Sequence, residues 1–274
     1  MTPSAPGLAY VLAANGEGFQ SPTINEFYPE PLVSFSVFGI DFEITRITIG
    51  LIVATAGILA LLIGAVRRPS IVPGKLQYLG ESGYSLVRDG IARDVIGPKG
   101  LPFAPFLGAL FFFILANNTM SVVPFFQISP NAKFAIPAVL AVIVWVLYNW
   151  VGIREQGLGR YLKDAAIPPG VPVGALILVT PIELLQVFVI RPFTLAVRLF
   201  ANMFAGHILI ALFATVAFHF LWEKVTPLGF GVGILGVVLT IVMTAFELFI
   251  QAVQAYVFTL LAAFYISAGL YSDH

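Results

Sequence analysis

The stretch Arg191-Pro-Phe-Thr-Leu-Ala-Val-Arg198-Leu-Phe-Ala-Asn202-Met-Phe-Ala-Gly-His207 sets two arginines, an asparagine and a histidine inside an apolar run covering residues 171–222. A bilayer core holds no water to solvate a cation, and a central arginine costs from roughly 2.5 to more than 10 kcal/mol. That cost points to a role for at least one of the two. The rest of the chain can be read as what surrounds, solvates and opposes them.

The 274 residues are 59% hydrophobic and only 10% charged. A soluble domain carries about 25% charged residues, so the chain reads as an integral membrane protein. Zero net charge gives no bulk attraction to nucleic acid, and no nucleic-acid partner is expected. The absence of cysteine excludes disulfides, thiolate metal sites and cysteine nucleophiles. His207, His219 and His274 are too dispersed for a ligand cluster, so no metal or cofactor is expected. The Gly231-Val-Gly233-Ile-Leu-Gly236 string matches a dinucleotide fingerprint in letters only. It opens a membrane helix, where close helix packing explains it.

Taken in order, the first apolar span covers 47–66, about 30 Å of helix, and stops at Arg67-Arg68. Residues 69–100 mix charge with Leu76, Leu79, Gly83, Leu86, Val87 and Gly90 at three- and four-residue spacing. This predicts an amphipathic interfacial helix, with a solvated loop helix as the alternative. Further spans follow at 101–123 and 134–152, joined by a short loop at 124–133. Pro168-Pro169-Gly170 then breaks the chain. Two runs, 171–222 and 230–270, close it; as helices they would measure about 78 and 62 Å against a core of about 30 Å. Neither has a polar loop at its middle, and Arg191-Pro192 is the only break candidate in the first. A sharp turn inside the bilayer would strand backbone polar groups, so each run is read as one long, tilted or bent helix, the two packed antiparallel. The expected fold is thus all-α, with about five membrane-crossing helices, an amphipathic interfacial helix and a long, tilted, antiparallel final pair. Residues 1–46 form an extracytoplasmic segment and 47–274 the helical membrane domain.

Loop charge supports this topology. Five crossings from an outside N-terminus put 67–100 and 153–170 in the cytoplasm, with Arg67, Arg68, Lys75, Arg88, Arg93, Lys99, Arg154, Arg160 and Lys163. The outer side holds only Arg46, Lys133 and Lys224. Glu17, Glu26, Glu30, Asp41 and Glu43 precede the first basic residue, and no Lys or Arg precedes the apolar patch 8–14, unlike a cleaved signal peptide. The C-terminus falls in the cytoplasm.

At 100° per residue, Arg191, Arg198 and Asn202 lie within about 40° of one another, with Glu183 about 60–80° to one side. His207 points about 180° from Arg198, toward what could be a separate aqueous cavity. On the last helix Thr240, Thr244, Glu247, Gln251 and Gln254 recur at spacings of four and three, which is one helical face. It could oppose the Arg198 stripe or line water. Asn118 lies near the end of the second span with Asn117, where an interhelical hydrogen bond competes with a role in conduction. Static ion pairs, Arg191 with Glu183 and Arg198 with Glu247, are the structural alternative.

The segment Arg198-Leu-Phe-Ala-Asn-Met-Phe-Ala-Gly-His207 resembles the signature of the a subunit of F-type ATP synthase, the stator subunit of the membrane Fo sector. Gln254-Ala-Tyr-Val-Phe-Thr-Leu-Leu resembles that family's second signature, and 118–124 the asparagine-containing end of its second helix. The resemblance covers the chain from the first span onward. It implies that Arg198 faces the carboxylates of a rotor c-ring, with Gln254 close to it on the facing helix and Asn202 one turn after it. It further implies that His207 and Glu247 are the polar pair of the proton path, to which Gln251, Asn118 and Glu183 are candidate contributors. Arg191 falls at a basic position before Pro192, and Ser121 where some relatives carry an aspartate. Implied partners are the c-ring, b-type peripheral-stalk subunits, the rest of the ATP synthase and the cell-membrane bilayer. The implied function is proton translocation through two offset half-channels coupled to rotation, without catalytic chemistry in this chain. An ion-coupled secondary transporter is the alternative, but no inverted repeat is visible. A purely structural membrane subunit would not need polar stripes on both terminal helices.

Overall fold

The computed structural model describes residues 22, 27, 29–37, 40–67, 70–167, 173–223 and 225–271. Most of the 1–46 segment lies outside them, as do Arg68, the Pro168-Pro169-Gly170 break, Lys224 and His274. The all-α expectation is met with one addition. Strand β1 (Val33–Val37) pairs antiparallel with β2 (Ile40–Ile44), with Val33 opposite Ile44 and Ser34 opposite Glu43. Both strands alternate apolar and polar residues, the period of a half-covered ribbon. Thr45 then starts α1 (Arg46–Val66) with a capping box, its side chain accepting from the Thr48 amide.

The charged stretch that follows is a bedded helix, α2 (Lys75–Val87), continued by a wider π-type turn over Arg88–Ile96. A methyl group built on Gly80 would come within 2.7 Å of Ala65, and one on Gly83 within 2.8 Å of Phe112. So α2 packs against α1 and α3 (Ala104–Thr119) and is not a solvated loop helix. Helix α3 ends earlier than the apolar pattern suggests. From Asn118 the chain switches to tighter turn bonding, Ser121 and Val122 amides to the Asn118 and Thr119 carbonyls, ahead of Pro124. Helix α4 (Ala135–Gln156) runs past the expected end at 152, to Gly157, whose φ of +81° turns the chain where a side chain would be strained. A short amphipathic helix, α5 (Leu158–Ala166), follows.

The two long runs are each one helix. The first comprises α6 (Val173–Leu185), a widened turn (Gln186–Ile190), α7 (Arg191–Phe218) and a second widened turn (His219–Glu223). It stays helical for 50 residues, Gly174–Glu223. Pro192 does not break it. Its missing N–H is accommodated by the loosened turn just before, and the Val187 carbonyl in that turn accepts from the Tyr148 hydroxyl of α4. The second is α8 (Pro227–Leu270), 44 residues, capped by the Thr226 side chain. These lengths, about 75 and 66 Å, require a strong tilt wherever they stay within an apolar layer of about 30 Å.

The pair is antiparallel, because facing positions run in opposite directions: Leu221 meets Gly233, Ala217 meets Gly236, Gly206 meets Glu247 and Asn202 meets Gln254. The glycine string at 231–236 is therefore a packing device, with Gly233 and Gly236 at the contact and Gly231 in open space. A Cβ on Gly236 would lie 2.9 Å from the Ala217 backbone nitrogen. Gly236→Leu is expected to force the pair apart and cut the chain's level in membranes at least severalfold, measured by immunoblot against Gly231→Leu as the tolerated control.

The core forms where α7 and α8 meet α3 and α4, around Leu107, Ile114, Val144, Leu199, Met203, Phe258 and Ile266. The outward faces are apolar too, with Ile52, Leu59, Ile63, Val139, Val146, Ile241 and Phe249 all exposed. Among the described residues, five helices have the length and composition to cross a membrane. An apolar exterior over an apolar core is the pattern of a multi-pass membrane protein.

Candidate functional site

The α8 stripe divides along its length. Thr240 and Thr244 satisfy their hydroxyls on their own helix, donating to the Gly236 and Thr240 carbonyls. Glu247, Gln251 and Gln254 are buried, at 5%, 0% and 3% exposure, and reach other elements. Three buried polar side chains in successive turns would be costly in an apolar medium unless paired, and each finds partners.

Glu247 lies at the centre. The Gln251 side-chain amide donates to its Oε1 at 3.0 Å, and the same nitrogen donates to the Ser121 hydroxyl. That hydroxyl also hydrogen-bonds the Glu247 carboxyl, and His207 acts on it electrostatically across the α7–α8 contact. Gly206 makes this possible. A Cβ there would sit 3.1 Å from the Glu247 carboxyl carbon, so a side chain at 206 would crowd the carboxylate. One turn of α7 away from Gly206, the Asn202 amide donates to Gln254 Oε1 at 2.6 Å.

A second set of amides abuts the first. The Asn118 side-chain nitrogen donates to the Gln251 backbone carbonyl at 3.2 Å, and Asn131 donates to Asn118 Oδ1 at 2.8 Å. Ser129 supports them, donating to the Asn117 carbonyl and accepting from the Asn131 amide. Asn118 and Asn131 are both 0% exposed. The result is a polar string running Asn131, Asn118, Gln251, Ser121, Glu247, His207, with Asn202 and Gln254 beside it.

Arg198 stands apart. Leu195, Ala196 and Leu199 around it are buried, but Arg198 itself is exposed on the outward face of α7. Among the described residues it forms no ion pair with Glu247, nor does Arg191 with Glu183. The static ion-pair alternative is therefore not what the structure contains. Arg191 instead lies half-buried over the Tyr265 ring, 5.4 Å from its centroid, and Glu183 stays partly exposed outside the polar string.

The single stripe of Arg191, Arg198 and Asn202 is thus divided three ways: Arg191 against Tyr265, Arg198 outward, Asn202 inward onto Gln254. His207, opposed in phase to Arg198, interacts electrostatically with Glu247 on α8. The string also holds residues not anticipated as site members. Ser121 enters as a hydroxyl between two site side chains. Asn131 comes from the 124–133 connection, where no periodicity marks it. Two non-glycine residues in that connection, Phe125 and Gln127, have positive φ, a backbone cost borne close to the site.

Chemically, the string offers a carboxyl hydrogen-bonded to a serine hydroxyl and a buried amide, with a histidine acting on it by charge, in an otherwise apolar interior. Such groups can pass or hold a proton; an exposed guanidinium one helix face away can only oppose or attract charge.

Residues 47–267 match the family model described as ATP synthase A chain. The chain is similar to a protein named ATP synthase subunit a from Parafrankia sp. (strain EAN1pec), 40% identical over 96% of this chain and 88% of that protein. It is similar to one of the same name from Nocardioides sp. (strain ATCC BAA-499 / JS614), 38% identical over 96% and 98% of the two. A third, from Rhodococcus erythropolis (strain PR4 / NBRC 100887), is 36% identical over 93% and 92%.

Proposed function

This chain belongs to the ATP synthase A chain family, and on that premise we propose that Arg198 is its stator charge and the Glu247–His207 string its proton path. As a family member it is a multi-pass membrane subunit of the F-type ATP synthase, in the proton-translocating stator of the Fo sector. The observation that carries the residue assignment is the split on α7. Arg198 faces outward at mid-helix, while Asn202 and His207 of the same helix engage the buried Gln254 and Glu247 of α8, the first by a hydrogen bond and the second by charge.

In this reading a ring of carboxylate-bearing c subunits rolls past the exposed face of α7, and b-type subunits of the peripheral stalk hold the chain still. A proton enters from the outer side through His207 and Glu247 and neutralises a rotor carboxylate. The neutral site can face lipid, where a charged one cannot. After nearly a full turn it meets the inner half-channel and releases the proton, because Arg198 stabilises the ionised carboxylate. A guanidinium does not give up its proton, so Arg198 also blocks a direct leak. Each charge crossing 100 mV supplies about 2.3 kcal/mol to rotation. The excess of basic residues in the 67–100 and 153–170 loops supports an N-terminus outside and a C-terminus in the cytoplasm. Asn202 and Gln254 fix the α7–α8 register beside the arginine. Gln251 and Asn118 line the path, while Arg191 and Glu183 lie toward its cytoplasmic side.

The chain has no cysteine, so single-cysteine chemistry on it is clean. Ala201 is exposed one turn from Arg198. Ala201→Cys is expected to cross-link to a cysteine placed beside the rotor carboxylate in the assembled complex. A failure to cross-link there, with cross-linking from an α1 position such as Leu59→Cys instead, would overturn the assignment. Within the path, Ser121→Ala removes a hydroxyl that touches both Gln251 and Glu247. It is expected to slow passive proton flux through Fo about two- to fivefold, about the worth of one hydrogen bond, read in vesicles stripped of the soluble sector.

A further inference from the structure

The path reading leaves one buried aromatic unexplained. Phe27 belongs to the segment before the first membrane helix, 177 and 180 positions away from the α7 residues Phe204 and His207 that it touches, yet it is 3% exposed. Its ring lies edge-on to the His207 imidazole, centroids 5.0 Å apart at 72°, and against Phe204 at 4.6 Å. Phe204 in turn stacks on Phe200 at 5.3 Å, and Phe200 meets Phe134 at 5.7 Å. The four phenylalanines form a continuous aromatic wall, and the His207 imidazole packs against its Phe27 end. Glu247 acts on the histidine from α8.

This placement does two things. Edge-to-face contact is directional, so Phe27 restricts the rotation of the imidazole. An apolar ring also denies water that side of the histidine. We propose that Phe27 is a positioning residue for proton uptake: it keeps the His207 ring turned toward Glu247 and closes its other side to the outer solution. The inference rests on the path assigned above. It adds that Phe27, which precedes the first span, is part of the conducting site.

The test uses the assembled complex in membrane vesicles with the outer face accessible. His207 is modified with diethylpyrocarbonate and quantified by peptide mass spectrometry, and passive proton flux is measured on the same preparation. Phe27→Ala is expected to raise the rate of His207 modification at least threefold and to lower flux severalfold. Phe27→Tyr, which keeps the ring, is expected to restore both. Unchanged modification and flux in assembled Phe27→Ala complex would overturn the proposal, and so would a restoration by Phe27→Ser equal to that by Phe27→Tyr. If alanine prevents assembly, Phe27→Leu takes its place: it keeps apolar bulk without the aromatic edge, and wild-type flux in it sinks the proposal. Faster modification in Phe27→Ala, combined with normal flux in His207→Ala, would leave the contact standing and remove the path reading beneath it.

Discussion

Replacing Arg198 by alanine is expected to abolish ATP-driven proton pumping and proton-driven ATP synthesis while the complex still assembles. Both halves follow from where the side chain lies. It is exposed on α7, and the packing around it comes from Leu195, Ala196 and Leu199, which remain. Loss of a guanidinium that supports no core contact should therefore spare folding, and removing a cation from the apolar span relieves a cost of a few kcal/mol. The functional loss is of another order. A carboxylate about 4 Å from a fixed cation gains about 4 kcal/mol at an effective dielectric of about 20. At about 1.4 kcal/mol per decade this is near a thousandfold in the balance between ionised and protonated rotor sites. Without it the rotor carboxylate has no reason to release its proton at the stator. Arg198→Lys tests the geometry: a point charge on a thinner stem restores the sign but not the planar fork, and is expected to leave pumping strongly impaired. Vesicles of the alanine variant that acidify normally on ATP addition would refute the assignment.

How much of this was readable from the residues alone depends on periodicity. The α8 stripe was, because Glu247, Gln251 and Gln254 repeat at helical spacing and all three turn out buried together. The continuity of the two long runs was readable for a related reason: no polar loop interrupts them, and the structure loosens one turn ahead of Pro192 instead of breaking. Phase alone could not say which member of a stripe faces inward. Arg198 and Asn202 are four residues apart on one flank, yet only Asn202 reaches Gln254 while Arg198 is exposed, since four residues at 100° each leave them about 40° apart, enough to part an edge position from an inward one. Asn131 and Phe27 were illegible for a different reason. Both sit in connecting segments, where neither a 3.6 nor a 2.0 period applies, and their burial depends on contacts 13 and 180 positions away. The hairpin at 33–44 did carry a period-two pattern, masked by the acidic residues that made the segment read as a leader.

Substituting glutamine for Glu247 is the second large expected effect, and it separates proton transfer from packing. The amide is nearly isosteric with the carboxyl. Its oxygen can still accept from Gln251, and the Gly206 contact that admits the side chain is unaltered. What disappears is the only carboxyl in the string and its coupling to His207. A path that relies on a group able to take up and release a proton loses that step entirely, whereas one that relies on ordered polar groups alone does not. Passive flux through Fo is therefore expected to fall about ten- to hundredfold, in the range of a lost general acid–base group, with normal assembly. Gly206→Val should produce a similar loss by the opposite route, keeping the carboxyl but pushing it away from Ser121 and His207. Agreement between the two variants would tie flux to the position of that carboxyl. Normal flux in Glu247→Gln would make the residue a packing element of the α7–α8 pair, and the path would have to run through Ser121 and the asparagines without it.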